Sequence, residues 1–425
     1  MINLQKYKLT PLIWAIIVGM VLLRIGTSMT IPFLAIFLHQ FLHFSYAITG
    51  IIVGVSYLSY TLGGFWGGAI SDKYGRKKLL NISLLCYAVT FFTFGFAATF
   101  REHTFIAATV FFSINLLAGL FRIWAETLIQ AMLADLASED NRITVFSLRY
   151  TFANIGTAIG PIIGALIGAS GKIGGFFCTG GVFVLYFCFF NLIAKKYLEV
   201  KHKQQNTISI AQSLSTVARD KILLYYIVGG IFCLLIYVQQ EAILGQVIME
   251  RFHSIRMFST LLFINAITIV LLQIPITSYS LSRFKITTLM QIGCLLLGLG
   301  VLILGMADLN IVIYIIGEII FTIGEICTFS IAGIFIDSIA PKDLRGTYFG
   351  ALALQFLGRA IGPCLGGLIL AEFSSRTTLA IFALLAVVPL LIYRYKCSKI
   401  LDQPTSKITA DSNLASSAEI AESEA

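Results

Sequence analysis

Eight ionisable residues stand inside stretches that are otherwise almost wholly apolar: Arg24, Arg122, Glu126, Arg149, Glu241, Glu318, Glu325 and Arg359. A charge at mid-span costs at least about 2.5 kcal/mol, so a residue kept there marks a solvated path, a ligand contact or a paired partner. Glu325, in Gly324-Glu325-Ile326 ahead of Thr328-Phe329-Ser330, is the leading candidate to carry a proton. Desolvation favours a neutral carboxyl, whereas an arriving cation or water favours the carboxylate, so such a group takes up and returns a proton as its surroundings change. The competing reading pairs Glu325 permanently with Arg24 or Arg359 and makes it a lock. Arg122 and Glu126 are four apart on one helix and either neutralise each other or meet a ligand; Glu126 is the second proton candidate. Arg24 and Arg359 offer charge to an anionic group, Glu241 and Glu318 complete the expected cargo wall, and Trp124 and Tyr237 supply rings to stack on an aromatic or cationic ligand. Glu318 and Glu325, seven apart, share one helix face.

These residues need helices to hold them. The chain has 425 residues, 58% hydrophobic and only 12% charged, with a mean hydropathy of +0.89, against roughly 25% charge in a soluble domain. It reads as an all-α integral membrane protein. Spans of about 20 apolar residues fall at roughly 11–38, 47–70, 79–100, 104–133, 144–169, 175–194, 222–247, 257–281, 286–307, 311–337, 347–370 and 377–393. That makes twelve, by the apolar pattern. Lys and Arg concentrate in the loops on the side of the N-terminus, which places both termini in the cytoplasm. The net charge of +9 therefore reflects topology, and no nucleic-acid partner is expected.

The polar connection 195–221 divides the chain into an N-terminal six-helix bundle (1–194) and a C-terminal one (222–400), followed by a tail (401–425) rich in Ser, Ala, Thr and acid that is expected to be disordered and cytoplasmic. The halves repeat. Asp135 and Asp337, Gly156 and Gly358, Gly160 and Gly362, Pro161 and Pro363, and Gly164 and Gly366 all stand 202 positions apart. Glycines on this spacing let helices approach closely, and a proline removes a backbone hydrogen bond and bends the helix. Eight cysteines show no C-x-x-C spacing, so neither a metal site nor a disulfide framework is expected. No phosphate-binding G-x-x-x-x-G-K-[ST] loop occurs, which disfavours ATP-driven transport. No Ser/His/Asp constellation suggests an enzyme, and no cofactor is expected.

Gly68, Asp72, Lys73, Gly75, Arg76 and Lys77 fit G-x-x-x-D-[RK]-x-G-R-[RK], which resembles the loop between the second and third helices of major facilitator superfamily (MFS) transporters. The resemblance implies two pseudo-symmetric six-helix bundles, with helices 1, 4, 7 and 10 around a central cavity and 3, 6, 9 and 12 towards lipid. It also implies that Gly68, Asp72, Lys73, Gly75 and Arg76, with Asp135 and Arg142, and Asp337 with Arg345 in the second half, act in gating. Thr277 to Lys285 lacks the counterpart of Asp72, so that latch is asymmetric. Helix 5 matches the antiporter-associated signature G-x-x-x-G-P-x-x-G of the superfamily; its recurrence in helix 11 equally fits a packing device. Gly119-Leu-Phe-Arg122 followed by Asp135 resembles helix 4 of drug-exporter relatives, although Asn115 and Leu116 occupy the region where many antiporters carry an arginine. The group most resembled, the drug:proton antiporters, implies proton-coupled efflux of small amphipathic or drug-like molecules by alternating access. The implied protein is a monomer in a bacterial cytoplasmic membrane. Its partners are protons, a small-molecule substrate and the bilayer. Two other readings stand: transport of a specific metabolite or siderophore-like anion, and a non-transporting receptor or scaffold.

Overall fold

A computed structural model describes residues 9–98, 104–138, 141–166, 172–194, 220–340, 348 and 350–397. Of the expected linker, 195–221, residues 195–219 fall outside the described residues, as does the expected tail, while Asp220 caps α7 and Lys221 begins it. The helices are α1 (Pro11–Phe41), α2 (Tyr46–Tyr74), α3 (Arg76–Ala97), α4 (Thr104–Leu136), α5 (Arg142–Leu166), α6 (Ile173–Ala194), α7 (Lys221–Phe252), α8 (Ile255–Arg283), α9 (Ile286–Met306), α10 (Ile311–Ile336), α11 (Leu352–Glu372) and α12 (Ser375–Cys397). Eleven contain a stretch long and apolar enough to cross a bilayer. In α5, where Arg142 and Arg149 interrupt the apolar run, the corresponding stretch is the shorter Thr151–Leu166.

A segment in hydrocarbon must satisfy its own backbone groups, which a helix does everywhere but at its ends. Side chains supply the missing acceptors there. Thr10 accepts from Ile13 N ahead of Pro11, Asp220 from Ile222 and Leu223, Ser254 from Met257, Asn310 from Val312 and Ile313, and Ser374 from Thr377. The tight α2–α3 turn rests on Gly75, at φ 87°, a conformation that L side chains rarely adopt.

The same contacts recur in both halves. α1 packs on α5 as α7 packs on α11, α2 on α4 as α8 on α10, and α3 on α4 and α6 as α9 on α10 and α12. Between the halves, α2 meets α11 and α8 meets α5, which are again equivalent contacts under exchange of the bundles. The repeated glycines explain the closeness. A Cβ at Gly156 would lie 2.8 Å from Val21 O, one at Gly160 2.0 Å from Ser28 Oγ, one at Gly358 2.0 Å from Ile231 O and one at Gly362 2.4 Å from a Val238 methyl. Pro161 and Pro363 sit inside their helices, one residue after the close approach. Across the halves, a Cβ at Gly50 would lie 2.1 Å from Pro363 O and one at Gly367 2.2 Å from Tyr46 O. Gly358→Ala is therefore expected to cost about 2 kcal/mol through overpacking. Gly181→Ala, with nothing within 4 Å of the new methyl, should leave the thermal midpoint of the detergent-solubilised protein at or above the wild-type value.

Two of the spans that depart from a regular α-helix shape the cavity. α1 passes through a tight turn at Ile31–Phe33 and a wide π turn at Phe37–Phe41; Pro32 has no N–H to give the helix ladder. α7 widens into a π turn at Gln240–Leu244. Beyond these breaks the ends of α1 and α7 close on each other. Phe33 and Ile36 pack with Leu244, Ile248, Phe258 and Leu261 in one buried cluster, with Phe33 and Phe258 edge to face at 5.5 Å. This apolar seal shuts the end of the molecule where α1 finishes. Towards the other end the cores separate, one within α1–α6 apart from Val238 and Ala360, the other within the second half.

Candidate functional site

Between the seal and the separated cores lies a cavity of about 370 Å³, towards the small end of the roughly 300–1,000 Å³ range of ligand sites. α1, α2, α4, α5, α7, α8, α10 and α11 line it, and among the described residues α3, α6, α9 and α12 contribute nothing. Four guanidiniums, Arg24, Arg122, Arg149 and Arg359, reach its wall, with the carboxyl groups of Glu241 and Glu325.

On the first-half wall, one carboxylate serves two arginines. Glu126 Oε2 accepts from Arg24 Nη2 at 3.1 Å and from the Tyr60 hydroxyl at 3.0 Å, while Oε1 accepts from Arg122 Nε at 3.1 Å. The intrahelical partner is the one that the i, i+4 spacing offers, and Arg24 adds a bond from α1 to α4. Arg122 also lies over the Tyr60 ring, 5.4 Å from its centroid. Glu126 was expected as a second proton carrier. Both of its oxygens are held by two guanidiniums and a phenol, contacts that tie this wall together.

On the second-half wall, Glu241 Oε1 accepts from Arg359 Nη2 at 2.9 Å, and Oε2 accepts from the Tyr57 hydroxyl at 2.8 Å. Tyr57 belongs to α2, so this bond joins the halves. Arg359 stacks over Tyr57 at 4.6 Å and over Tyr237 at 5.2 Å. Glu325 is placed differently. Its Oε2 accepts from Asn265 Nδ2 at 2.9 Å, and the same amide donates to Thr322 Oγ1 at 3.0 Å. Among the described residues Glu325 has no ion-pair partner within 4.0 Å, so the expected alternative of a permanent lock with Arg24 or Arg359 is not what the structure contains.

Two expected cavity residues are elsewhere. Trp124 gives its indole N–H to Gly63 O at 3.0 Å and packs edge to face on Phe121, so it fastens α4 to α2. Glu318 is 0% exposed and lies behind the wall, bonded by the Gln240 amide. The seven-residue spacing does put it on the Glu325 face, but two turns nearer the sealed end, where the π turn of α7 covers it. Asn115, in place of an arginine, donates to Ile52 O and again ties α4 to α2. Of the gating set, Arg76 pairs with Asp135 and donates to Ala131 O at 2.7 Å, a brace between α3 and α4 within one bundle. The side chains of Gly68, Asp72, Lys73, Arg142 and Asp337, and the whole of Arg345, fall outside the described residues. Sequence reasoning missed Tyr57, Tyr60, Gln240 and Asn265, the neutral groups that decide which charge is paired. Only Gln240 carried a signal, as the neighbour of Glu241 on an expected cavity helix; Tyr57, Tyr60 and Asn265 stand on helices for which the sequence offers no charge in the apolar span.

The Major Facilitator Superfamily model matches residues 16–356 and 243–414. The chain is 30% identical over 393 residues, covering 91% of it and 93% of the relative, to the uncharacterized MFS-type transporter YqjV of Bacillus subtilis (strain 168). It is 26% identical over 378 residues, 82% of this chain and 87% of the relative, to a Na(+), Li(+), K(+)/H(+) antiporter of Planococcus maritimus. Among solved structures, the nucleoside transporter NupG superposes with a TM-score of 0.75 at 15% identity, over 91% of this chain and 100% of that one.

Proposed function

The chain belongs to the major facilitator superfamily and is a membrane transporter, not an enzyme; from that premise we propose that it exchanges protons for a small amphipathic molecule, moving cargo outward by alternating access. The observation that carries this reading is the unequal treatment of the carboxyl groups around the cavity. Glu126 and Glu241 each hold arginine, whereas Glu325 faces the cavity with an amide as partner. A carboxyl without a fixed cation is free to take either a proton or a positively charged part of the cargo, and occupancy by one excludes the other. Exclusion of this kind produces exchange. With both termini cytoplasmic, the apolar seal lies on the outer side and the cavity is served from the cytoplasm, the conformation in which cargo to be exported would load.

The test is reconstitution into liposomes that enclose a pH-sensitive dye, with lipophilic cations and organic anions offered in turn. An imposed pH gradient should drive uptake or release of one class, and that class should in turn move protons. Cargo flux indifferent to the gradient would remove protons from the mechanism. Asp72, in the last turn of α2, is proposed to act in switching between the two access states. Asp72→Asn is expected to insert normally and to turn over at least about tenfold more slowly, on the order of 1.4 kcal/mol in the barrier. Wild-type turnover would reduce the loop to a membrane anchor.

A further inference from the structure

The two walls of the cavity carry opposite excess charge. On the first-half wall, Arg24 and Arg122 divide one carboxylate between them. Arg24 keeps a buried Nε with no hydrogen-bond acceptor among the described residues. Opposite them, Arg359 is matched by Glu241, which leaves Glu325 as the cavity-lining carboxyl with no ion-pair partner within 4.0 Å among the described residues. The remaining lining is mixed, with apolar side chains at Ile31, Leu262 and Ile269 beside polar ones at Asn154, Thr157 and Gln240.

We propose that the cargo is a small zwitterion, with a carboxylate-type anionic end held by Arg24 and Arg122, an apolar body across the middle, and an ammonium at Glu325. This rests on the reading of the cavity as a transport site. A molecule with only a cationic end satisfies Glu325 but leaves the arginine excess unanswered; one with only an anionic end leaves Glu325 facing an apolar body. Each alternative buries a polar group without its partner, which is costly away from water. The zwitterion answers both poles. Its ammonium also takes the place of the proton on Glu325, which ties cargo identity to exchange.

The purified full-length protein in detergent is titrated with matched trios, following its thermal midpoint: phenylalanine, phenethylamine and phenylpropionate, then aminohexanoate, hexylamine and hexanoate. At least one zwitterion should raise the midpoint, with its amine and its acid each needing about tenfold more ligand, or about 1.4 kcal/mol. Arg24→Gln should bring zwitterion and amine to equal strength, and Arg24→Lys should restore the difference. Glu325→Gln should bring zwitterion and acid to equal strength. An amine or acid that matches its zwitterion on the wild-type protein overturns the proposal, as does a panel in which neither zwitterion acts. Proton movement is read separately in liposomes. Amines winning while Glu325-dependent proton exchange persists defeats only the dipolar cargo; a zwitterion bound and carried without proton movement defeats the exchange and leaves the dipolar cavity standing.

Discussion

Liposomes containing Glu325→Gln protein should still exchange cargo down its own gradient, at about tenfold higher cargo concentration than the wild type needs, while a pH gradient drives no accumulation. The glutamine keeps the size of the side chain and leaves an oxygen for the Asn265 amide, so the bond across α8 and α10 survives. What is removed is the ability to hold a proton in one access state and shed it in the other. A potential of 100 mV supplies about 2.3 kcal/mol per charge moved, equivalent to a roughly fiftyfold concentration ratio, and this is the accumulation the variant should lose. The sign of the pH effect follows from competition. Cargo binding expels the proton, so binding strengthens as pH rises in the wild type and becomes flat in the variant. Retention of acid-driven accumulation by Glu325→Gln would move the proton to another group.

Glu126→Gln should be the most destabilising single change at the cavity, at about 3 kcal/mol. Breaking a buried ion pair from one side leaves an uncompensated charge, which typically costs about 3–5 kcal/mol. Here two guanidiniums lose their shared anion together. Water in the cavity softens the loss at Arg24, whose side chain is 25% exposed, more than at Arg122, at 17%. Glu318→Gln provides the contrast. Glu318 is wholly buried, yet its bonded partner is a neutral amide, so the variant should stay within about 1 kcal/mol of wild type. Thermal unfolding of the two variants side by side decides the matter, and equal losses would mean that the Arg24–Glu126–Arg122 cluster does not hold α1 to α4.

Helix number, the internal repeat and the convergence of charge on one cavity were legible because each leaves a periodic or compositional mark. Gly156 and Gly358 repeat at a fixed offset, and their contacts with α1 and α7 repeat too. Which carboxyl is paired was not legible. Arg122 and Glu126 announce themselves by spacing along one helix, but Arg24–Glu126 and Arg359–Glu241 join helices whose rotation and depth no local pattern fixes. Trp124 shows the same limit: a ring two residues from a cavity arginine points about 200° away around the helix, by the 3.6-residue turn, towards α2. The π turn of α7 carries no signal in Gln240-Glu241-Ala242-Ile243-Leu244. It nevertheless lets adjacent side chains serve different neighbours, Gln240 meeting Glu318 and Glu241 meeting Arg359 and Tyr57.

The seal of Phe33, Ile36, Leu244, Ile248, Phe258 and Leu261 has a thermodynamic consequence. Any conformer that admits solutes from that end must part these side chains and wet them, at about 25 cal/mol for each Å² of apolar surface uncovered. Wetting apolar surface raises heat capacity, so the balance between the two access states bends with temperature instead of following a straight van't Hoff line. Cooling weakens hydrophobic closure, so this seal holds its access state less firmly in the cold.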